Sequence, residues 1–159
     1  MKKIIIITTS RADYGILEEL ISKLYKSKKI KLYLLVTGAH SSDRYGATIK
    51  EIKKKYSKIL IIIKTKHGKD NNEIILENIR KISIEFEKYI LKINPNCIIA
   101  LGDRYELLGI SLVNIFYNKK IIHLHGGEET LGTYDNITRK IFSLISKIHL
   151  VSHNNYKRN

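Results

Sequence analysis

The sequence is poor in the residues that small secreted folds depend on. It contains one cysteine, Cys97, so no disulfide can form within the chain and a reducing, cytoplasmic location is expected. That cysteine opens an apolar strand-like run, away from the turns, which excludes a thiol nucleophile. Acidic residues are also scarce. Fifteen Asp and Glu stand against 29 Lys and Arg, leaving a formal net charge of +14. A charge of that size can signal nucleic acid or an anionic membrane. The lysines are scattered along the chain instead of gathered in one patch, so neither partner is expected. An anionic small molecule fits the charge equally well. No apolar stretch approaches the roughly 20 residues of a membrane span. The first run, Lys2–Thr9, is too short and wrongly followed for a signal peptide. No GxGxxG follows that run and no Walker A sequence occurs, and no cofactor is expected. There is no internal repeat and no low-complexity linker.

What remains is an alternation of apolar runs and helical patterns over 159 residues, a length that suits one domain. The strand-like runs are Lys2–Thr9, Lys31–Thr37, Ile59–Ile63, Cys97–Leu101, Ile121–Leu124 and Ile148–Val151. Between them lie apolar positions at helical spacing: Leu17, Leu20, Ile21 and Leu24; Ile49 and Ile52 within 46–56; and Ile75 to Ile93. Two further sets are Leu107 to Phe116, and Ile137, Ile141, Leu144 and Ile145. Asn94-Pro95, with the only proline, stops the longest helix. Residues 152–159 look like the beginning of another helix. The fold expected is α/β: an open, parallel, Rossmann-like sheet of about six strands with helices on both faces.

In such a sheet neighbouring strands end on one edge, where open α/β sheets hold ligands. The turns there carry the candidate chemistry. Thr9-Ser10-Arg11-Ala12-Asp13 leads into a helix that Ser10 or Asp13 could cap, and Arg11 at the helix start suits a phosphate. The loop after Gly38 carries His40, Ser41, Ser42, Asp43 and Arg44. Asp103 and Arg104 follow the strand ending at Leu101; Asp103 reads equally as an acid/base or as a helix cap. His125-Gly126-Gly127-Glu128-Glu129 follows Leu124, and Asp135 starts the next helix at another capping position. His123 and His125 are two apart on a strand and should point the same way. They could hold a metal with a carboxylate, but no third ligand stands at a convincing spacing and no metal is expected.

SRADYG, LLVTGAH, ALGDRYE, HLHGGEETLGTYD and ISKIHLVS, in this order, resemble the hydrolysing UDP-N-acetylglucosamine 2-epimerases, most of all their sialic- and legionaminic-acid branch. Members of that family have two Rossmann-like domains of GT-B type, with the sugar nucleotide between them. The resemblance implies that residues 1–151 form the N-terminal domain and 152–159 the start of a crossover helix. The C-terminal domain, which supplies most uridine contacts and a catalytic histidine, is expected to be absent or to come from a separate polypeptide. Full-length members are expected to be homodimers. The implied substrate is UDP-N-acetylglucosamine or UDP-N,N'-diacetylbacillosamine, converted to UDP and the 2-epimerised free sugar by elimination and water addition. By the same resemblance Arg11, Asp13, Arg104, Gly126 and Gly127 bind substrate, and Asp103 and Asp135 are catalytic. Some relatives carry a glutamate at the position of His125, so His125 or Glu128 takes that role here. A serine of some relatives is Gly15. The alternative is a non-catalytic sugar-nucleotide-binding or interaction module.

Overall fold

The computed structural model describes residues 1–41, 48–67, 71–129 and 134–158. Six strands form one sheet: β1 (Lys2–Thr8), β2 (Ile30–Val36), β3 (Leu60–Ile62), β4 (Cys97–Leu101), β5 (Lys120–Leu124) and β6 (Ile148–Leu150). Their order is β3-β2-β1-β4-β5-β6 and every pairing is parallel. This is the doubly wound order, with its switch point between β1 and β4. Runs of Ile, Leu and Val suit it because a parallel sheet is covered on both faces.

The register brings the strand ends level. Thr8 pairs with Val36, Val36 with Ile62, Leu101 with Leu124 and Leu124 with Leu150. Each of these is the last residue of its strand. Ile6 pairs with Ile99, which puts Thr8 level with Leu101 two residues on. All the turns that follow therefore leave from one row.

Two cores flank the sheet. On one face Ile5, Ile7, Leu35, Ile98, Ala100 and Ile121 meet the buried sides of α3 (Asn72–Ile93) and α4 (Glu106–Tyr117), and Phe142 of α5 (Asp135–Leu144). On the other, Ile6, Leu34, Val36, Ile99 and Leu101 meet α1 (Arg11–Lys26) and α2 (Ile49–Tyr56). Successive strand residues alternate between the two cores, as the pleat requires. Of the two expected caps, Ser10 caps α1, accepting from the Asp13 N–H at 3.2 Å, while Asp13 Oδ2 accepts from the N–H of Thr9 ahead of the helix. Asn71 caps α3, which ends on Asn94 in the left-handed region ahead of Pro95.

Some expectations shift. β3 is shorter than 59–63 because a 3-10 turn, Ser57–Ile59, precedes it. The chain after β6 forms a 3-10 turn, Asn154–Arg158, where an α-helix was expected. Ser42, Asp43, Arg44, Gly46, Gly68–Asp70 and Gly132–Thr133 lie outside the described residues. The largest difference is α5. Its apolar positions Ile137, Ile141 and Leu144 are exposed (Leu144 at 87%), and Thr138, Arg139 and Phe142 face inward. The periodicity located the helix but not its buried side, because polar contacts to the sheet edge decide the orientation.

Two helical glycines should respond oppositely to alanine. A Cβ at Gly15 would meet nothing within 4 Å, whereas at Gly109 it would lie 2.9 Å from both the Ile79 carbonyl oxygen and Ile82 Cγ2, where α4 crosses α3. Gly15→Ala should stabilise the chain by about 0.5–1 kcal/mol. Gly109→Ala gains the same propensity but overpacks a backbone contact, a cost of about 1–3 kcal/mol, so a net loss is expected. Urea denaturation of the two variants reads both signs.

Candidate functional site

The level strand ends place five turns side by side, and the switch point between β1 and β4 is the middle of the row. On one side of it α1 starts with Arg11, which is exposed at the helix N-terminus. Asp13, expected to contact substrate, is instead 8% exposed and occupied: Thr9 N–H and Thr9 Oγ1–H donate to its Oδ2 at 3.2 and 2.5 Å. Its work is local. It completes the turn that presents Arg11.

Across the switch point, Gly102 at φ +84° turns the chain out of β4. Asp103 then makes an ion pair with Arg139 of α5. Asp103 does not cap the helix: α4 begins at Glu106, its N-cap residue is Tyr105, and no side chain caps it. Asp103 is 21% and Arg139 8% exposed at the side chain, so the acid is presented at the edge by a buried arginine. Arg104 lies over the Tyr105 ring, 5.8 Å from its centroid, and its Nη2 is 3.4 Å from Glu106 Oε1.

Behind Arg104 is a cluster that sequence reasoning missed. Glu106 is 1% exposed, and burial raises its carboxyl above the usual range, with Arg104 opposing. Its Oε1 abuts Gly38, where an added Cβ would fall 2.5 Å away. His40, 1% exposed, receives or gives a hydrogen bond with Thr8 Oγ1 at 2.9 Å through Nε2. Burial brings His40 down to about 4, with Asp13 opposing. The GDRYE run contains Glu106, and its acid one residue past the turn's Tyr was the available signal. Reading the run as strand, turn and helix start drew attention to Asp103 and away from it.

At the end of β5 the two histidines separate. β5 stops at Leu124, and His125 takes φ +60°, an uncommon backbone for a side-chain-bearing residue and a feature that clusters at functional sites. The alternation that would align His125 with His123 is thereby broken. His125 Nδ1 lies 3.1 Å from Glu128 Oε1, which also accepts from Ser152 Oγ at 2.5 Å. His123 is fully buried, with Nε2 2.7 Å from the Gly102 carbonyl and Nδ1 3.0 Å from Ser143 Oγ. Burial lowers His123 to about 4 against the bond to Gly102. Gly127 sits at φ +78°, and a Cβ there would be 2.5 Å from the Tyr156 carbonyl oxygen. At Gly126 a Cβ would be less crowded, 3.0 Å from His123 Nδ1, so it is Gly127 that the turn itself requires. Asp135 is the first residue of α5, within the helix and not its cap. Arg139 lies one turn further on.

Among the described residues no group of three His, Cys, Asp or Glu is placed to hold a metal ion, and no helix is long and apolar enough to cross a membrane.

His40 and His123 both bind a proton less readily in the folded chain than in the unfolded one. The stability they confer is present above about pH 6.5 and is lost as pH falls toward 4. His40→Gln should flatten the stability–pH curve across that window relative to the parent chain, and urea titrations at intervals of pH measure the difference.

Comparison with known proteins bears on this edge. The family model described as UDP-N-acetylglucosamine 2-epimerase matches residues 22–159. The chain is 34% identical over 158 residues to polysialic acid biosynthesis protein P7 of Escherichia coli, covering 99% of this chain and 40% of that protein. It is 33% identical over 160 residues to the GDP/UDP-N,N'-diacetylbacillosamine 2-epimerase (hydrolyzing) of Campylobacter jejuni, covering 99% and 41%. The fold is similar to that of UDP-GlcNAc 2-epimerase from Neisseria meningitidis, solved with UDP-GlcNAc bound. There the TM-score is 0.80 at 17% identity, over 99% of this chain and 42% of that one. The sheet thus corresponds to the N-terminal half of a GT-B-type fold. The chain spans about two fifths of the length of the curated relatives it matches. By the family model and by relatives that match nearly its whole length, this chain belongs to the UDP-N-acetylglucosamine 2-epimerase family.

Proposed function

We propose that this chain is the N-terminal domain of a hydrolysing 2-epimerase, with residues 1–151 as the domain and 152–159 leading toward a second one. The substrate is a UDP-linked 2-acetamido sugar, UDP-N-acetylglucosamine or its diacetylated 6-deoxy analogue. The observation that carries this reading is the pairing of Asp103 with Arg139 at the switch point, between the cations Arg11 and Arg104 and the Glu128–His125 turn.

The reaction has two halves. A carboxylate takes the proton from sugar C2, and the C1–O bond breaks with its electrons leaving on UDP, giving a 2-acetamidoglycal. Water then adds across the double bond, its hydroxyl to C1 and a proton to C2 from the opposite face. Asp103 suits the first proton transfer, because Arg139 holds its carboxylate in one direction at the edge. Glu128 suits the second. His125 and Ser152 both contact its Oε1, which orients the carboxyl, and His125 is then an orienting group. Asp135, at the start of α5 near this turn in sequence, is kept as a further acid. Arg11 at the N-terminus of α1 and Arg104 supply cations for the departing diphosphate. Asp13 acts through the turn ahead of α1, while Gly126 and Gly127 let the backbone pass close to the sugar.

One open edge neither clamps the diphosphate nor excludes water. The isolated chain should therefore bind UDP-sugar weakly and turn it over little or not at all. Activity should emerge when a polypeptide covering the rest of the relatives' length is added, and Asp103→Asn should then reduce kcat by about 10²–10⁴-fold. Proton NMR of UDP release and of the 2-epimer, run with both candidate sugars, reads all three. Binding without turnover in the completed assembly would favour a sugar-nucleotide-binding module instead.

The homodimer expected of full-length members has support in exposed apolar side chains. Leu112, Ile115 and Phe116 of α4 and Ile137 and Leu144 of α5, two helices that pack together, are all more than half exposed. Phe116→Lys with Leu144→Lys should shift sedimentation from dimer toward monomer without altering the circular dichroism of the fold.

A further inference from the structure

The Gly102-Asp103 turn is gripped twice by one helix. Arg139 of α5 pairs with the Asp103 carboxylate. Ser143, four residues on and so on the same helix face, reaches the preceding carbonyl through an intermediary. Ser143 Oγ is 3.0 Å from His123 Nδ1, and His123 Nε2 is 2.7 Å from the Gly102 carbonyl oxygen. We propose that His123 is a positioning residue for Asp103, held as the Nε2–H tautomer between Ser143 and the Gly102 carbonyl so that the acid points into the cleft.

The tautomer follows from the partners. A carbonyl oxygen only accepts, so Nε2 must carry the hydrogen. In a neutral ring Nδ1 then offers a lone pair, which the Ser143 hydroxyl fills as donor. Nothing lets the ring turn over. It is fully buried, with the edge of Phe142 at 4.9 Å between centroids and 81° between planes. Gly126 closes the remaining side: a Cβ there would fall 3.0 Å from His123 Nδ1, 3.2 Å from Ser143 Oγ and 3.2 Å from His149 Nδ1. The charged and titratable groups that act on the ring are His149, Arg139 and Asp103. Protonation would put a charge on a fully buried ring with Arg139 and His149 acting on it, so the neutral form is the one the site accommodates.

Gly102 has φ +84° and its own N–H donates to Leu124 O at 3.0 Å. The N–H holds the peptide entering Gly102 and the His123 bond to its C=O holds the peptide leading into Asp103. The carboxylate is thus set by two points on α5, one on the side chain and one on the backbone before it. A core histidine that merely satisfied its nitrogens would not need to meet the peptide of the reacting acid.

The inference rests on the epimerase reading for its kinetic consequence but not for its geometry, so two measurements separate them. In the ¹⁵N-labelled chain, long-range imidazole correlations should show His123 as the neutral Nε2–H tautomer from pH 6 to 8. The Nδ1–H tautomer, or a charged ring at pH 7, would overturn the proposal. His123→Leu should move the Asp103 ¹³C-carboxyl resonance, and His123→Gln, whose amide can donate near the Nε2 position, should restore it. If the leucine variant does not fold, Ser143→Ala serves instead: the Gly102 carbonyl should keep the Nε2–H tautomer while the unanchored ring shifts the Asp103 resonance. In the completed assembly, His123→Leu should lower kcat by about 10- to 100-fold with KM little changed, and His123→Gln should recover most of it. An unshifted Asp103 resonance, or equal loss in the leucine and glutamine variants, would sink the positioning role. An assembly inactive on both UDP-sugars, with the tautomer and the Asp103 shift as expected, would reject the epimerase reading alone.

Discussion

The parallel register of the sheet is the constraint on which the rest depends. Six strands stop on one row because each pairs with its neighbour up to its last residue: Ile62, Val36, Thr8, Leu101, Leu124 and Leu150. A slip of one residue in β4 would exchange Ile98 and Ala100 for Ile99 between the two cores and lift the Gly102-Asp103 turn off the row. The hydrophobic layers thus do more than stabilise. They set the height at which Arg11, Asp103 and His125 emerge, and no contact between those residues is needed to bring them together.

That edge carries charges that a hydrophobic core would reject. An unpaired buried charge costs several kcal/mol, and truncating one partner of a buried pair costs about 3–5 kcal/mol. The chain meets this with near neighbours: Arg139 for Asp103 and Arg104 for Glu106. The consequence is visible in α5. An apolar stripe at helical spacing should turn inward, since burying one leucine or isoleucine is worth about 1.5–3 kcal/mol. Here Ile137, Ile141 and Leu144 remain outside while Thr138 and Arg139 are inside. Paired charge at the edge, together with Phe142 beneath it, outweighs the stripe, and the apolar face stays exposed.

Most of the fold was legible because it is written in short-range pattern. Runs such as Lys2–Thr9 and Cys97–Leu101, punctuated by Gly102 and Pro95, give element type and order, and β/α alternation then implies a parallel sheet. The candidate residues legible in the sequence are those that follow a strand directly: Arg11, Asp103, Arg104, His125 and Glu128. Arg139 and Glu106 were not, since each looked like one more charge on a helix. Their function comes from a partner 36 residues away in one case and from burial in the other, and neither leaves a periodic trace. The alignment of His123 with His125 failed for a related reason. Strand alternation holds only inside the strand, and His125 lies one residue beyond it at positive φ. Asp13, beside Arg11 in sequence, has one carboxylate oxygen engaged by Thr9, which no sequence pattern announced.

The two sides of the switch point are built on different principles. On the α1 side, Arg11 is an exposed cation on a helix N-terminus, long and able to follow a moving phosphate. On the α5 side the described turn groups have partners: Asp103 with Arg139, Gly102 with His123, His123 with Ser143, Glu128 with His125 and Ser152. In the proposed reaction, departure of the diphosphate would call for a cation able to follow the anion. Proton transfer at carbon demands the reverse, since the barrier rises steeply when the acceptor is misplaced by a fraction of an ångström. The exposed cation Arg11 and the braced carboxylate Asp103 fall on opposite sides of the switch point, which separates helices that pack on opposite faces of the sheet.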